Sequence, residues 1–289
     1  MNKKTAGVWL ILAASLMWAI EPILAKLSYA SSDFLGTFAV RVFIVVIIAA
    51  AYVFATNKGS FKVNKTQFYA LIYIGIAAGL FAELIYFYAV KKIPVINAVL
   101  IGHFQPLFIV LFGYFILKEE KLTKFDYFGM LFMIIAGLLV STRTLDNLKL
   151  FRIGTFGDFL ALLAAIFWAT TAIAMRKYLR GLNAGVIAFY RFLIALIAVA
   201  VYFILTSTIR ISNIYPILFG VATGIGQILY YEGLKRLKAS QAGTLELSTP
   251  FFAAILSFFI LGEITTFIQS IGIAFLFIGV YFLSRKETK

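Results

Sequence analysis

Residues 7–41 read GVWLILAASLMWAIEPILAKLSYASSDFLGTFAVR, and residues 157–191 read GDFLALLAAIFWATTAIAMRKYLRGLNAGVIAFYR. The two stretches match at one constant offset, and a second block repeats at a slightly shorter one. The matches of the first block are Gly7/Gly157, Leu10/Leu160, Ala14/Ala164, Trp18/Trp168, Ala19/Ala169 and Arg41/Arg191. Those of the second block are Tyr86/Tyr230, Ala98/Ala242, Pro106/Pro250, 115–117/259–261 and Glu119/Glu263. The chain therefore contains an internal duplication, and both copies are very apolar.

The composition is that of a membrane protein. Hydrophobic residues make up 63% of the chain, charged residues 13%, and the mean hydropathy is +0.99. A soluble domain is closer to half apolar and a quarter charged. The absence of Cys excludes disulfides, thiolate metal sites and Cys nucleophiles. His103 is the single histidine, so a His-rich metal site is excluded as well, and we expect neither metal nor cofactor.

The net charge of +14 does not indicate nucleic-acid binding, because the Lys and Arg residues lie mostly in short loops between apolar runs. No G-x-x-x-x-G-K-[ST], G-x-S-x-G or H-E-x-x-H pattern occurs. Neither ATP hydrolysis nor a catalytic site is therefore expected. The first apolar run is too long for the core of a removable signal peptide.

Ten apolar runs have about the length of a membrane-spanning helix, which takes about 20 residues. They do not alternate polar and apolar residues as barrel strands do. The sequence therefore predicts an all-α integral membrane protein with ten transmembrane helices. The predicted spans are 7–29, 34–56, 67–90, 95–117, 125–141, 156–178, 184–206, 214–234, 241–261 and 265–284.

The distribution of cations predicts the orientation. With the N-terminus inside, the inner segments carry more than twice as many Lys and Arg residues as the outer ones. This places both termini in the cytoplasm and the protein in the plasma (inner) membrane. Since each copy has five helices, the second enters from the opposite side. The sequence thus predicts two inverted five-helix repeats, residues 1–145 and 152–289, with a transport site between them.

Glu83 and Gln227 occupy equivalent positions in the third and eighth helices, and each is followed three residues later by a tyrosine, Tyr86 or Tyr230. Three residues is about one helical turn, so each pair shares a face. Charged groups inside a bilayer are costly and usually face protein or water. We interpret these residues as a polar cavity wall and expect Glu83→Gln to reduce transport without loss of folded protein. The alternative is helix packing with a structural hydrogen bond.

Glu21 lies deep in the first helix, directly before Pro22, which removes a backbone hydrogen bond. Ser15, Trp18 and Glu21 follow at three-residue spacing, which makes one face partly polar and aromatic. A role in the site and a structural ion pair with Lys26 or an arginine are both open.

Arg41 and Arg191 each lie about 10 Å inside a helix, at 1.5 Å per residue. Their presence in both copies suits a structural pair. If one of them bound substrate, it would favour a carboxylate or phosphate. Positions at the membrane interface are predicted for Lys26, Arg176, Glu119, Glu120 and Glu263.

His103 and Gln105 precede Pro106 in the fourth helix, about 200° apart on opposite faces of a continuous helix. Histidine suits proton coupling, although a neutral, hydrogen-bonded histidine is equally in keeping with the sequence. Glu246 and Pro250 lie in the ninth helix on a small, polar surface suited to a cavity.

Ten short helices in two inverted copies resemble the drug/metabolite transporter superfamily, in particular its EamA-type members. The residues that carry the resemblance are Trp18/Trp168, Arg41/Arg191 and the runs from Pro106 to Glu119 and from Pro250 to Glu263. The resemblance implies a secondary transporter that works by alternating access, with the fourth and ninth helices near its central cavity.

We expect a secondary-active exporter of a small polar, amino-acid-like metabolite. A multidrug or organic-cation exporter is the alternative within transport, and a non-transporting receptor is the alternative outside it. The expected partners are the bilayer, the solute and a proton as candidate coupling ion, and a monomer would suffice. The predicted substrate-binding or coupling residues are Trp18, Glu21, Glu83, Tyr86, His103, Trp168, Gln227, Tyr230 and Glu246.

Overall fold

The computed structural model describes residues 3–56, 58–117, 122–150, 154–179, 181–206, 211–237 and 239–284. The first half contains α1 (Lys3–Ser28), α2 (Phe34–Thr56), α3 (Lys65–Ile74), a π-helical stretch (Gly75–Ala82), α4 (Glu83–Lys92), α5 (Val95–Gly102), α6 (Gln105–Phe112), a second π-helical stretch (Gly113–Leu117) and α7 (Lys124–Thr142). The second half contains α9 (Phe156–Tyr178), α10 (Ala184–Thr206), α11 (Tyr215–Leu234), α12 (Ala239–Glu246), α13 (Ser248–Leu261) and α14 (Phe267–Ser284), and α8 (Leu145–Lys149) joins the halves.

The predicted all-α membrane architecture of ten spans is confirmed. Among the described residues, nine helical stretches are long and apolar enough to cross a bilayer, and Phe267–Leu283 is a shorter tenth one. The third span comprises α3, its π-helical stretch and α4. The fourth comprises α5, α6 and a π-helical stretch, and the ninth comprises α12 and α13. The short helix α8 is not predicted by the hydropathy pattern, because it lies in the polar connection.

The two halves interlock instead of lying side by side. Helix α1 packs along α11, and in the equivalent contact α9 packs along the third span. Helix α2 packs on α10, and α7 packs on α14. Exchanging the two halves turns the contact between α1 and α11 into the contact between α9 and the third span. It turns the α2–α10 contact and the α7–α14 contact each into itself. This is the arrangement of inverted repeats related by a two-fold axis in the membrane plane.

Small residues let the helices of the two halves approach closely. A Cβ atom added at Gly79 in the third span would overlap the backbone carbonyl oxygen of Arg191 in α10. A Cβ added at Gly220 in α11 would lie 2.9 Å from the carbonyl oxygen of Arg41 in α2. Glycine at these positions therefore brings the backbones that carry the two buried arginines against the opposite repeat.

The fourth and ninth spans are broken at equivalent places. Helix α5 ends at Gly102, four residues before Pro106, and α12 ends at Glu246, four residues before Pro250. Proline has no N–H to donate to the carbonyl four residues earlier, and its ring crowds that carbonyl. The sequence predicts a kink in each span, and the structure has a short break there, at His103 and Phe104 in the fourth span and at Leu247 in the ninth. Discontinuous helices at mid-membrane depth are typical of transporter binding sites.

Candidate functional site

A buried chain of ion pairs crosses from one repeat to the other. Nη2 of Arg41 lies 2.7 Å from Oε2 of Glu83 and 3.3 Å from Oε2 of Glu21. Nη2 of Arg191 lies 2.7 Å from Oε1 of the same Glu83. Glu83 thus joins an arginine of the first repeat to its counterpart in the second. The two carboxylates and two guanidiniums balance, which satisfies the requirement that buried charge be paired.

Arg41 is sealed inside this network. Its guanidinium carbon lies 4.5 Å from the ring centroids of both Phe87 and Phe219, and the side chain has 0% exposure. Its Nε donates to the hydroxyl of Thr223 at 3.0 Å. Aromatic faces attract the cation and exclude water from it. No solute reaches this guanidinium without displacing a phenylalanine.

Arg191 has more polar neighbours. Besides Glu83, its Nη1 donates to Oε1 of Gln227 at 3.4 Å and to the hydroxyl of Tyr231 at 3.3 Å. The equivalent positions Glu83 and Gln227 therefore serve the same two-arginine cluster, one as a carboxylate and one as a neutral acceptor. Glu21 takes the structural alternative, in which it pairs with an arginine. From the sequence Tyr231 is a candidate for the rim of the cavity, and its hydroxyl contacts Arg191 within this cluster.

One helical turn from this charge network lie two aromatic pairs. The ring centroids of Trp18 and Tyr230 are 4.6 Å apart, with an interplanar angle of 52°. Those of Trp168 and Tyr86 are 4.9 Å apart, with an angle of 56°. Both distances and angles agree because the residues are equivalent in the duplication. Each pair joins the first helix of one repeat to the third span of the other, and we call these four residues the aromatic layer.

The two sides of the aromatic layer differ at the position that faces each pair. At Gly102, an added Cβ would lie 3.3 Å from Tyr86 and 3.5 Å from Trp168, so the position faces that pair. Its counterpart in the second repeat is Glu246, whose carboxylate lies near the hydroxyl of Tyr230. None of the ion pairs between described residues includes Glu246.

His103 lies at the break in the fourth span, and its ring is close to the backbone of Glu246 in the ninth. Its Nδ1 lies 2.7 Å from the carbonyl oxygen of Val99. A carbonyl only accepts, so Nδ1 carries a proton. Gln105 donates from Nε2 to the carbonyl oxygen of Trp168 at 3.3 Å.

Burial separates the predicted site residues into two groups. Glu21, Glu83, Tyr86 and Gln227 are buried at 7% exposure or less. The partly exposed group is Trp18, His103, Trp168, Tyr230 and Glu246. The second group therefore keeps accessible surface beside a fully packed charge network.

Unpartnered polar atoms occur on the same helices as the aromatic layer. Ser15, one turn before Trp18, and Thr249, one turn beyond Glu246, have buried hydroxyls without a hydrogen-bond partner. The indole Nε1 of Trp168 also lacks one. Buried polar atoms are normally hydrogen-bonded, so an unpartnered group beside accessible surface is a place where a ligand or water binds.

A separate contact closes the bundle on the side of the membrane at which α1 ends. Nζ of Lys26 lies 2.8 Å from Oε1 of Glu263 and 2.9 Å from the carbonyl oxygen of Ile93. The same carboxylate accepts from the backbone N–H groups of Val95 and Ile96 at 2.9 and 3.3 Å. Lys26 and Glu263 are predicted as interface residues, yet they join α1, the fourth span and the ninth span. The predicted interface residues Glu119 and Glu120 lie outside the described residues.

An open cleft of about 510 Å³ lies elsewhere, at the start of α3. Its walls include Phe61, Lys62, Asn64 and Tyr190, and none of the predicted site residues contributes to it. Its exposed lysines suit the polar edge of a membrane.

Comparisons with known proteins agree with the fold and the repeat. The model of the EamA-like transporter family matches residues 5–142 and again residues 155–285. A solved crystal structure superposes with a TM-score of 0.68 over 96% of this chain and 96% of its own, at 19% identity, which shows a shared fold.

Curated relatives are transporters. An uncharacterized transporter of Methanothermobacter thermautotrophicus is 26% identical over 77% of this chain and 66% of its own length. One from Synechocystis sp. is 27% identical over 75% and 66%. The pseudopaline exporter CntI of Pseudomonas aeruginosa is 26% identical over 50% of this chain and 49% of its own length. The family model covers nearly the whole chain in two matches, and the protein is therefore a multi-pass membrane transporter that belongs to the EamA-like transporter family.

Proposed function

We propose that this transporter is a secondary-active exporter of a small polar metabolite that carries an amino group, as an amino acid does. The main support for this proposal is the aromatic layer between the repeats, which has Glu246 on one side. Among the described residues, no cation pairs with the carboxylate of Glu246. Aromatic faces and a carboxylate are the groups that attract an ammonium. The broken fourth and ninth spans supply the backbone irregularity that transporter sites use.

The site residues we assign are Trp18, Tyr86, His103, Trp168, Tyr230 and Glu246. Glu21, Glu83 and Gln227 lie one turn away, in the charge network that joins the repeats. In this proposal they hold the two repeats, residues 1–145 and 152–289, in register while the aromatic layer meets the solute. A proton is the candidate coupling ion, since the chain carries no motif of ATP hydrolysis.

Export is supported by two observations. The excess of Lys and Arg in alternate loops favours cytoplasmic termini in the plasma membrane. With that orientation, the contact between Lys26 and Glu263 closes the outer side, so the site would load from the cytoplasm. One relative, matched over half the chain, is named an exporter.

The organic-cation exporter is the second candidate, and it is favoured equally by Glu246, which has no ion-pair partner among the described residues. Solute counterflow in proteoliposomes tests both candidates. Vesicles preloaded with an unlabelled amino-acid mixture, or with ethanolamine and choline, are diluted into the corresponding labelled solutes. We expect transient accumulation of label in at least one series and none in protein-free vesicles. Absence of counterflow in both series would overturn transport of amino-bearing solutes.

A further inference from the structure

The charges of the membrane interior are divided between two places. Four described groups, Glu21, Arg41, Glu83 and Arg191, neutralise one another in the network between the repeats. Glu246 stands apart from this network on the aromatic layer, where Tyr230 is its neighbour. A solute that enters this layer therefore meets one negative charge.

No cationic side chain of the network is available to a carboxylate of the solute. Arg41 has 0% exposure between two phenylalanine rings, and its side chain already contacts both glutamates. Arg191 is 10% exposed and donates to Glu83, Gln227 and Tyr231. Among the described residues, Nη1 of Arg41 and Nε of Arg191 have no hydrogen-bond partner, but both atoms are buried, so an amino-acid carboxylate would have to enter the packed network to reach either guanidinium.

The neighbours of Glu246 also favour positive charge. The aromatic faces of Trp18 and Tyr230 attract a cation from one side. The unpartnered hydroxyl of Thr249, one turn further on, is an acceptor for an ammonium N–H.

The duplication provides an internal comparison. Around Tyr86 and Trp168 the geometry of the aromatic pair is the same, but Gly102 stands where Glu246 stands in the other repeat. Aromatic contact is therefore available on both sides of the layer, whereas the carboxylate is present on one. The cation must bind on the side of the second repeat, with the apolar part of the solute towards Trp168.

We propose that Glu246, Tyr230, Trp18 and Thr249 form an ammonium site that recognises an amine by its positive charge and makes no compensating contact to a carboxylate. This inference rests on the proposed function and narrows its substrate class to amines and related organic cations. A compound with an ammonium and an aromatic or aliphatic tail fits the layer. The amino acid with the same side chain also carries a carboxylate, which would lie near Glu246 without a cationic partner.

Binding to the purified full chain in detergent, measured by calorimetry, tests the site with three probes of one skeleton. They are phenethylamine (a cation), phenylalanine (a zwitterion) and 3-phenylpropionate (an anion). We expect phenethylamine to bind at least tenfold more tightly than phenylalanine, and 3-phenylpropionate not to bind. Equal or tighter binding of phenylalanine would overturn the inference, because it would require a cationic partner for the carboxylate.

Two variants make the assignment specific. Glu246→Gln keeps the size and hydrogen-bonding capacity of the side chain and should weaken phenethylamine binding at least tenfold. Glu232→Gln removes a carboxylate at the end of α11 that pairs with Lys235 and Arg236, and should leave binding unchanged.

Monodisperse elution and an unchanged thermal midpoint show that each variant is folded. If the Glu246→Gln variant is not folded, Glu246→Asp, which keeps the charge, replaces it. Unchanged affinity in a folded Glu246→Gln would refute the site, and so would a tenfold loss of affinity in the Glu232→Gln control. If Glu246→Asp is used, it should retain binding, and a tenfold loss in this charged variant would refute recognition by charge. Since calorimetry measures binding alone, failure here leaves the counterflow result standing, and failed counterflow leaves the binding result standing.

Discussion

Replacing Glu83 by glutamine should destabilise the whole bundle, because this carboxylate is shared by the arginines of both repeats. It accepts two charge-assisted bonds of 2.7 Å at 4% side-chain exposure. Bonds to charged groups contribute about 1.5–3 kcal/mol each. The glutamine keeps one acceptor oxygen, so one guanidinium loses its partner in a buried site. Loss of one member of a buried ion pair costs about 3–5 kcal/mol, and we expect a value in that range for Glu83→Gln.

The free energy of unfolding is measured by denaturant titration in mixed micelles, with Glu232→Gln as the matched control. Glu232 pairs with its own helix at 2.7 Å near the membrane edge, where its partners are about a third exposed. Such a pair contributes about 0–1 kcal/mol. A double variant that also carries Arg191→Gln removes one charge of each sign and should recover at least half of the loss. A Glu83→Gln protein as stable as the Glu232→Gln control would refute the role of Glu83 as the shared partner. Retained stability with lost transport would instead support the cavity-wall interpretation made from the sequence.

Two further substitutions test the packing and the closed side. Gly79→Val should lower the stability of the fold by about 1–3 kcal/mol, because its Cβ would overlap a backbone carbonyl that cannot move away alone. Gly113→Ala has open space around the added Cβ and should leave the stability unchanged in the same series of thermal unfolding measurements. Equal effects of the two would contradict the close approach of the repeats. Glu263→Gln removes the ion pair with Lys26 and part of the cap at the start of the fourth span. Such a loss is worth about 1 kcal/mol, which shifts the ratio of open to closed molecules roughly fivefold. The chain has no cysteine, so Ser15→Cys provides a single site for a thiol label. An impermeant thiol reagent added on the side of Glu263 should modify this cysteine several-fold faster when Glu263→Gln is also present than when it is absent. An unchanged labelling rate would mean that this contact does not close the site.

The sequence predicts the helices well because membrane spans are encoded locally. A run of apolar residues of sufficient length is a helix whatever its neighbours are, and the repeat adds the inverted arrangement. The matched prolines also indicate irregular fourth and ninth spans. Whether Pro106 and Pro250 kink or interrupt a helix depends on which groups replace the missing bonds. Here the ring of His103 in one span lies close to the backbone of Glu246 in the other, a proximity between the repeats that no local pattern contains.

The partners of buried charges are the part that the sequence does not predict. Glu83 is 42 residues from Arg41 and 108 from Arg191, and its position is equally consistent with a cavity wall and with a structural ion pair. Lys26 and Glu263 are 237 residues apart, and hydropathy alone places both at an interface. The symmetry of the repeat narrows the choices, since equivalent helices make equivalent contacts. The symmetry does not show whether a buried charge already has an ion-pair partner or can bind a solute.

The charge network has a consequence for the ancestry of the two halves. The first repeat contributes two carboxylates and one guanidinium to the sealed cluster, so alone it carries one excess negative charge. The second has Thr171 and Gln227 in place of the two glutamates and carries one excess positive charge. A symmetric pair of either half would bury two uncompensated charges, whereas the mixed pair is neutral. The halves have thus diverged into obligate complements. Expressed as separate chains, they should assemble only with each other, and a stable homodimer of either half, found by crosslinking in membranes, would contradict this.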